Sequence, residues 1–137
     1  MAILLDPSAI VAAADAADLN HRAAVGWFER VDEPLLLGVL GLAELDVLLQ
    51  RELGAAATHA VLDSVVAGSI RLVAPTTDDL ARASELLTEA AEHRPRLADA
   101  LLVATAERLA IRRVAAFDRR PLAVFRPRHA RSLEFEP

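Results

Sequence analysis

The sequence predicts a three-layer α/β/α domain built around a central, mostly parallel sheet of four or five strands. Short apolar runs recur along the chain, segments with helical periodicity separate them, and turn or helix-start residues stand at the boundaries. Strands that alternate with helices favour a parallel sheet covered on both faces, because each crossover lays a helix against one side.

Short apolar runs predict the strands of this sheet. Gly38 closes the second run and Pro75 stops the third. Their apolar character fits strands buried on both faces. The four predicted strands are residues 2–5, 35–37, 70–73 and 113–117, and residues 133–135 are the candidate for a fifth strand at one edge.

Helical periodicity fills the intervals between the strands. Pro7 fits the first turn of a helix, since its missing N–H is not needed there. Apolar residues recur on one helical face around Trp27, and Gly54 marks a break between two later helices. We expect Thr77 to cap another helix. Its buried side is predicted to carry Leu80, Ala83 and Leu87. The two helices on either side of Gly54 are predicted over residues 41–53 and 55–67, and another helix is predicted over residues 98–110.

Length and composition predict one globular domain, residues 1–137. The absence of cysteine excludes disulfides, Cys-based zinc sites and thiol catalysis. No uncharged apolar stretch reaches the ~18 residues of a membrane span, and the N-terminus lacks the basic start of a signal peptide. We therefore expect a cytoplasmic protein that makes no membrane contact.

The charge distribution is uneven. The chain has a net charge of -5, and all 15 of its basic side chains are arginine. Eight of these arginines lie within residues 108–137, beside only three acids. Two explanations stay open, either the coding bias of a GC-rich genome or an arginine-rich edge that grips phosphates.

Four acids fall at matching positions of the predicted topology. Asp6 follows the first strand and Asp118 the fourth, Glu44 lies in the first turn of the helix after the second strand, and Asp99 begins the helix before the fourth. Ligands bind at the carboxyl ends of parallel strands. Any one of these acids alone is more simply a helix-start charge that complements the dipole.

Carboxylates gathered at close range raise one another's pKa. A divalent ion such as Mg²⁺ or Mn²⁺ removes that conflict, because it prefers oxygen ligands. Such an ion activates water and stabilises charge on a phosphate. The four acids therefore predict a metal site for phosphate chemistry.

Short motifs carry a family resemblance over nearly the whole chain. In their order and spacing they resemble the PIN-domain ribonucleases, in particular the VapC toxins of type II toxin–antitoxin pairs. The motifs are LLDPSA at 4–9, LAEL at 42–45, LADA at 97–100 with AER at 106–108, FDRR at 117–120 and VFRP at 124–127.

The resemblance implies a function for the predicted site. It implies a PIN-like fold and an endoribonuclease that uses Mg²⁺ or Mn²⁺ to cut structured RNA such as tRNA or rRNA. It also implies a homodimer held inactive by a cognate VapB-type antitoxin. Asp6, Glu44, Asp99 and Asp118 match the family's metal-site acids, and Ser8 matches a supporting hydroxyl.

Two arginines and two departures from the family pattern surround the last acid. Arg119 and Arg120 adjoin Asp118, which favours either contact with RNA phosphates or a salt bridge to a neighbouring acid. Ala116 stands where the family often has Thr or Ser, and Pro121 replaces a common His. Loss of the hydroxyl at 116 weakens support for the metal without removing a ligand.

Other enzyme classes fit less well. A phosphoryl-accepting receiver domain and a haloacid-dehalogenase-type phosphatase both need a lysine that this chain lacks. The remaining alternative is a catalytically decayed PIN-like binding module, which the presence of all four acids argues against. Asp18 is expected to be a surface charge, and Asp46 a solvated or structural residue. The histidines form no paired ligand spacing and are expected on the surface or in packing roles: His21, His59, His93 and His129.

Overall fold

A computed structural model describes all 137 residues and contains one five-stranded sheet in the order β3-β2-β1-β4-β5. Every neighbouring pair of strands is parallel, so all the carboxyl ends lie at one edge. The strands are β1 (Ile3–Leu5), β2 (Leu35–Gly38), β3 (Ile70–Val73), β4 (Arg113–Ala115) and β5 (Glu134–Glu136).

Seven α-helices connect these strands, and a short 3-10 helix precedes the sixth of them. The helices are α1 (Pro7–Ala14), α2 (His21–Arg30), α3 (Val39–Leu53), α4 (Ala55–Val66), α5 (Thr77–Glu89), α6 (Leu97–Leu109) and α7 (Arg120–Ala123), with the 3-10 helix at Ala91–His93. None of them is both long and apolar enough to span a lipid bilayer.

Two apolar clusters cover the two faces of the sheet. Successive residues of a strand point to opposite faces, and in β1 Ile3 and Leu5 belong to one cluster while Leu4 belongs to the other. The first cluster packs against α1 to α4 and the second against α5 to α7. The predicted three-layer fold with a parallel sheet is confirmed.

The start of α5 differs from the prediction by one residue. Thr76, not Thr77, is the cap: its hydroxyl accepts the Asp79 N–H at 3.1 Å, and the Asp79 carboxylate accepts the Thr76 N–H at 3.1 Å. Arg108 Nε donates to both carboxylate oxygens of Asp79 at 3.0 Å. Asp79 is therefore fully paired, which allows its burial.

The buried side of α5 also differs in part from the prediction. Asp79, Ala83, Leu86 and Ala90 are buried, whereas Leu80 is 49% exposed, so its predicted core position is wrong. Ala83 is buried as predicted, and the half-buried Leu87 packs against the same cluster.

One strand boundary and two short helices also differ from the predictions. The predicted strand 113–117 ends at Ala115, although the Ala116 N–H still donates to the Glu136 carbonyl at 2.9 Å. The short helix α7 and the 3-10 helix were not predicted, because three or four residues show no measurable periodicity.

Half of the arginines in 108–137 form ion pairs within the fold. Arg113 donates to Glu33 and Glu136, joining the loop before β2 to the edge strand β5. Three other arginines of this segment each pair with an acid, in the pairs Arg108–Asp79, Arg112–Glu134 and Arg128–Glu85. Much of the apparent basic edge is therefore neutralised within the fold.

Candidate functional site

An open cleft of about 440 Å³ lies at the carboxyl edge of the sheet. The four acids singled out in the sequence all line it: Asp6, Glu44, Asp99 and Asp118. They come from the end of β1, from α3, from α6 and from the turn after β4. The structure therefore brings together side chains that lie up to 112 positions apart in the chain.

Asp6 forms the floor of the cleft. Its N–H donates to the Ala115 carbonyl at 2.9 Å, which ties it to the neighbouring strand β4. As the cap of α1, its carboxylate accepts the Ser8 N–H at 3.0 Å and a second hydrogen bond from the Ser8 hydroxyl. Burial raises the pKa of Asp6, the Ser8 hydrogen bonds oppose that rise, and the charges of Glu44 and Asp118 add to it.

The Ser8 hydroxyl joins two of the acids. It donates to the Asp6 carboxylate and accepts the backbone N–H groups of Phe117 at 3.1 Å and Asp118 at 3.3 Å. A hydroxyl has one donor and two acceptor positions, so its hydrogen-bonding capacity is fully used. Ser8 thereby fixes the turn that carries Asp118 relative to Asp6.

Glu44 reaches the cleft because α3 passes close to α1. A Cβ at Gly41 would lie 3.2 Å from Leu37 Cδ1 and 3.7 Å from Pro7 Cγ, so only glycine allows this approach without displacing its neighbours. Glu44 lies three residues later on the same helical face. Because α3 begins at Val39, Glu44 lies in the second helical turn, and the predicted first-turn position is wrong.

Asp99 is the third residue of α6 and is only 8% exposed. Burial is the main reason why its pKa rises from an ordinary 3.8 to about 6. The negative charge of Asp6 raises this pKa further, as do Glu44 and Asp118, while Arg96 opposes them. Ionised Asp99 therefore lies in an environment that favours an added positive charge.

The donor set of the cleft fits a divalent ion by its chemistry, since all four side chains offer carboxylate oxygens. The acids do not form a closed cage: no three Asp, Glu or His side chains are arranged to chelate one ion. Glu44 forms an ion pair with Arg96, and Asp118 is exposed at the rim.

Comparison with known proteins identifies the family. Residues 3–126 match the PIN domain. This chain belongs to the PIN domain family. The chain is also 30% identical over 125 residues to Ribonuclease VapC26 of Mycobacterium tuberculosis (strain ATCC 25618 / H37Rv), which covers 91% of this chain and 93% of that protein.

Solved structures share the fold of this PIN domain. VapC20 of Mycobacterium tuberculosis, described as a sarcin-ricin loop cleaving toxin, has a TM-score of 0.80 and 25% identity, covering 87% of this chain and 92% of that one. FitAcB from Neisseria gonorrhoeae has a TM-score of 0.67 at 20% identity, covering 95% and 100%. VapBC2 from Rickettsia felis, solved with a DNA fragment from its promoter, has a TM-score of 0.70 at 14% identity and covers 100% of both chains. FitAcB and VapBC2, at 20% and 14% identity, support the fold alone. The family match and the likeness to VapC26 and VapC20 confirm the predicted VapC-type PIN domain.

The two arginines after Asp118 differ in their contacts within this PIN domain. Arg119 donates to the carbonyls of Ala116 at 3.0 Å and Pro137 at 2.6 Å, and its guanidinium lies 5.7 Å from the Phe135 ring centroid. It anchors the C-terminal segment and forms no salt bridge. Arg120 is exposed and has no hydrogen-bond or acid partner.

Sequence reasoning missed three polar residues of the cleft: Asp18, Asn20 and Arg96. Asp18 is exposed, as predicted, but it lies at the cleft rim, where its carboxylate accepts the Asn20 N–H at 2.7 Å. The only available signal for Arg96 was its position three residues before Asp99.

Apart from Asp18, the residues expected to have structural or surface roles lie outside the acidic cleft. Asp46 accepts from Gln50 Nε2 and Thr58 Oγ1, each at 2.8 Å, and these bonds lower its pKa. His21 and His129 hydrogen-bond the carbonyls of Ala12 at 2.9 Å and Ile111 at 2.6 Å, whereas His59 and His93 are exposed.

Proposed function

We propose that this PIN domain is an endoribonuclease that depends on Mg²⁺ or Mn²⁺ and acts as the toxin of a toxin–antitoxin pair. The observation that carries the proposal is the convergence of Asp6, Glu44, Asp99 and Asp118 on one cleft. The 30% identity to a named ribonuclease over most of the chain supports the same activity.

In this proposal the carboxylates of Asp6, Glu44, Asp99 and Asp118 would hold the ion. A bound divalent ion supplies an activated water and stabilises charge on the scissile phosphate. Ser8 orients the Asp6 carboxylate and the Asp118 backbone through its hydroxyl. Supporting hydrogen bonds of this kind tune metal affinity.

The proposed substrate is a structured RNA such as tRNA or rRNA, which places the activity in the cytoplasm. Support comes from the fold shared with VapC20, a toxin described as cleaving the sarcin-ricin loop. Proteins recognise folded RNA through its shape and through exposed loops, so the acidic cleft supplies the chemistry and its surroundings supply the choice of RNA.

The proposed partners are a VapB-type antitoxin and a second copy of the chain. The likeness to VapC20, which is described as a toxin, supports the first of these. We expect expression to arrest growth and the cognate antitoxin to relieve that arrest. Harmless expression of a protein that cuts RNA in vitro would contradict the toxin assignment.

Cleavage of RNA by the purified chain tests the activity. We expect cutting with Mg²⁺ or Mn²⁺, loss of cutting with a chelator, and loss in Asp6→Ala and Asp99→Asn. Asp46→Asn is the matched control, because Asp46 lies two residues from Glu44 but outside the cleft. Mapping the cut sites in total cellular RNA against Asp6→Ala identifies the target.

Two outcomes would overturn the proposal. Undiminished cutting by both cleft variants would show that the carboxylates are not the site. An intact wild-type chain that cuts no RNA with either ion but binds a partner would favour the alternative, a decayed binding module.

A further inference from the structure

A second cleft of about 420 Å³ adjoins the acidic one and shares Arg96, Asp99 and Pro121 with it. Arg94 and Arg96 line it from the loop before α6, and Arg120 lines it from the start of α7. Asp99 is the only acid in its wall. Three guanidinium groups therefore face a cavity that opens beside the proposed site of cleavage.

Two of these arginines have no partner within the protein. Arg94 and Arg120 are exposed and take part in no hydrogen bond or ion pair. Arg119, by contrast, is held by two backbone carbonyls. Contact with RNA through Arg120 is thus compatible with the structure, whereas the same contact through Arg119 would cost the anchoring of the C-terminal segment.

Arg96 connects the two clefts. It pairs with Glu44, but its side chain remains 62% exposed. Because most of the Arg96 side chain is open to solvent, a second anion can reach its guanidinium beside Glu44. A phosphate offers paired oxygens that match the planar guanidinium fork.

Binding of RNA at the acidic cleft requires positive charge close by. Four carboxylates in a chain of net charge -5 repel a polyanion. Affinity for an RNA backbone comes mainly from cations that contact its phosphates. A local group of arginines next to Asp99 supplies that attraction where the overall charge of the protein does not.

We infer that Arg94, Arg96 and Arg120 bind the RNA phosphates adjacent to the one that is cut. This group, the arginine grip, positions the strand across Asp99 and contributes to the choice of substrate. The inference rests on the proposed ribonuclease function. It replaces the pair Arg119 and Arg120, suggested by the sequence, with a set drawn from two separate segments.

RNA binding by a triple variant tests the grip. Arg94, Arg96 and Arg120 are all changed to Gln in the Asp6→Ala background, so that binding to a fluorescent RNA hairpin is measured by anisotropy without cleavage. Gln is preferred to Gly because Arg94 has φ +50, where glycine would also relax the backbone. The matched control changes Arg30, Arg71 and Arg131 to Gln and so removes the same charge. These three arginines are exposed, lie outside both clefts and form no ion pair.

The expected result is a local effect. The grip variant loses at least ~10-fold in affinity. The slope of log K against log salt falls by roughly 2 to 3, since each phosphate contact contributes about 0.7 on a single strand and about 0.9 on a duplex. The control keeps its slope and most of its affinity. With Asp6 restored, the double variant Arg94→Gln/Arg120→Gln, which leaves the Arg96–Glu44 pair intact, shows a raised KM and a smaller change in kcat, because these two arginines bind flanking phosphates.

Three outcomes would overturn the inference: unchanged binding by the grip variant, equal losses in both triple variants, or an equally large loss of binding to polyglutamate. The second would mean that only total charge matters, and the third that the surface binds acidic protein. The double variant Arg94→Gln/Arg120→Gln, which breaks no ion pair, replaces the triple if circular dichroism shows that the triple is unfolded. Failure of the proposed function is distinguishable, because the wild-type chain would then cut no RNA.

Discussion

Changing Asp99 to Asn is expected to stabilise this protein when divalent ions are chelated. The Asp99 side chain is 8% exposed, and its pKa in the fold is about 6 instead of 3.8. Each pKa unit corresponds to about 1.36 kcal/mol, so the ionised carboxylate costs about 3 kcal/mol of folding free energy at neutral pH. Asn keeps the size of the side chain and removes the charge.

The sign of the pH dependence follows from linkage. Because the folded protein holds the Asp99 proton more tightly than the unfolded chain, this group lowers stability as pH rises from about 3.8 to about 6. The full cost remains at higher pH. Asp99→Asn should therefore exceed wild type in stability above pH 6 and lose that advantage near pH 4.

Thermal unfolding between pH 4 and pH 8 in chelator measures the effect. For a domain of this size, about 3 kcal/mol corresponds to a rise in Tm of roughly 10 °C. Asp46→Asn is a control that should lower stability at neutral pH instead of raising it, because hydrogen bonds from Gln50 and Thr58 lower the Asp46 pKa. Its carboxylate adds stability above its unfolded pKa and loses that contribution as pH falls.

Added metal should reverse the order of the two proteins. A ligand that binds only the folded state stabilises it by about 4.1 kcal/mol at 1,000 times its Kd, which exceeds the cost of about 3 kcal/mol, and the variant lacks one proposed ligand. If Asp99→Asn is instead less stable than wild type at pH 7.5 in chelator, the carboxylate is structural and the electrostatic reasoning fails. A stability difference that does not change with pH would refute it equally.

Three further substitutions separate catalytic support from fold stability. Ser8→Ala leaves the N–H groups of Phe117 and Asp118 without their acceptor. We therefore expect stability to fall by about 1–3 kcal/mol and the cleavage rate to fall by about 10- to 100-fold. Unchanged cleavage would show that Ser8 is dispensable. Thr76→Ala removes the cap of α5 and should cost about 1 kcal/mol in chemical denaturation, with the cleavage rate per folded molecule unaltered. Arg119→Ala should lower Tm by releasing Pro137 while leaving RNA affinity intact, and a loss of affinity as large as that of Arg120→Gln would contradict the assignment of the grip.

The parts of the fold that could be predicted from the sequence depend on local patterns. The strand at 70–73 was placed correctly because three apolar residues, Ile70, Leu72 and Val73, precede the stop signal Pro75. Asp6 and Asp118 were placed in the cleft because strand ends in a parallel sheet share one edge. Their roles as ligands stay predictions.

Contacts between distant segments account for the rest. Asp79 is buried because Arg108, 29 residues away, pairs with it, and no periodicity in α5 reveals that partner. Glu44 meets Arg96 across 52 residues. Arg119 and Arg120 are neighbours in the sequence, but only the fold shows that Arg119 donates a hydrogen bond to the backbone oxygen of Pro137.

The missing hydroxyl at position 116 is the clearest case in which geometry changes the meaning of a sequence departure. Ala116 is fully buried in the apolar cluster between the sheet and α6, where an added hydroxyl without a partner would cost about 1–3 kcal/mol. Side-chain support for the turn after β4 comes instead from Ser8, whose hydroxyl donates to the Asp6 carboxylate and accepts the Asp118 N–H. Because α1 supplies this support, the chain can keep alanine at 116 without losing the link between the first and last acids of the cleft.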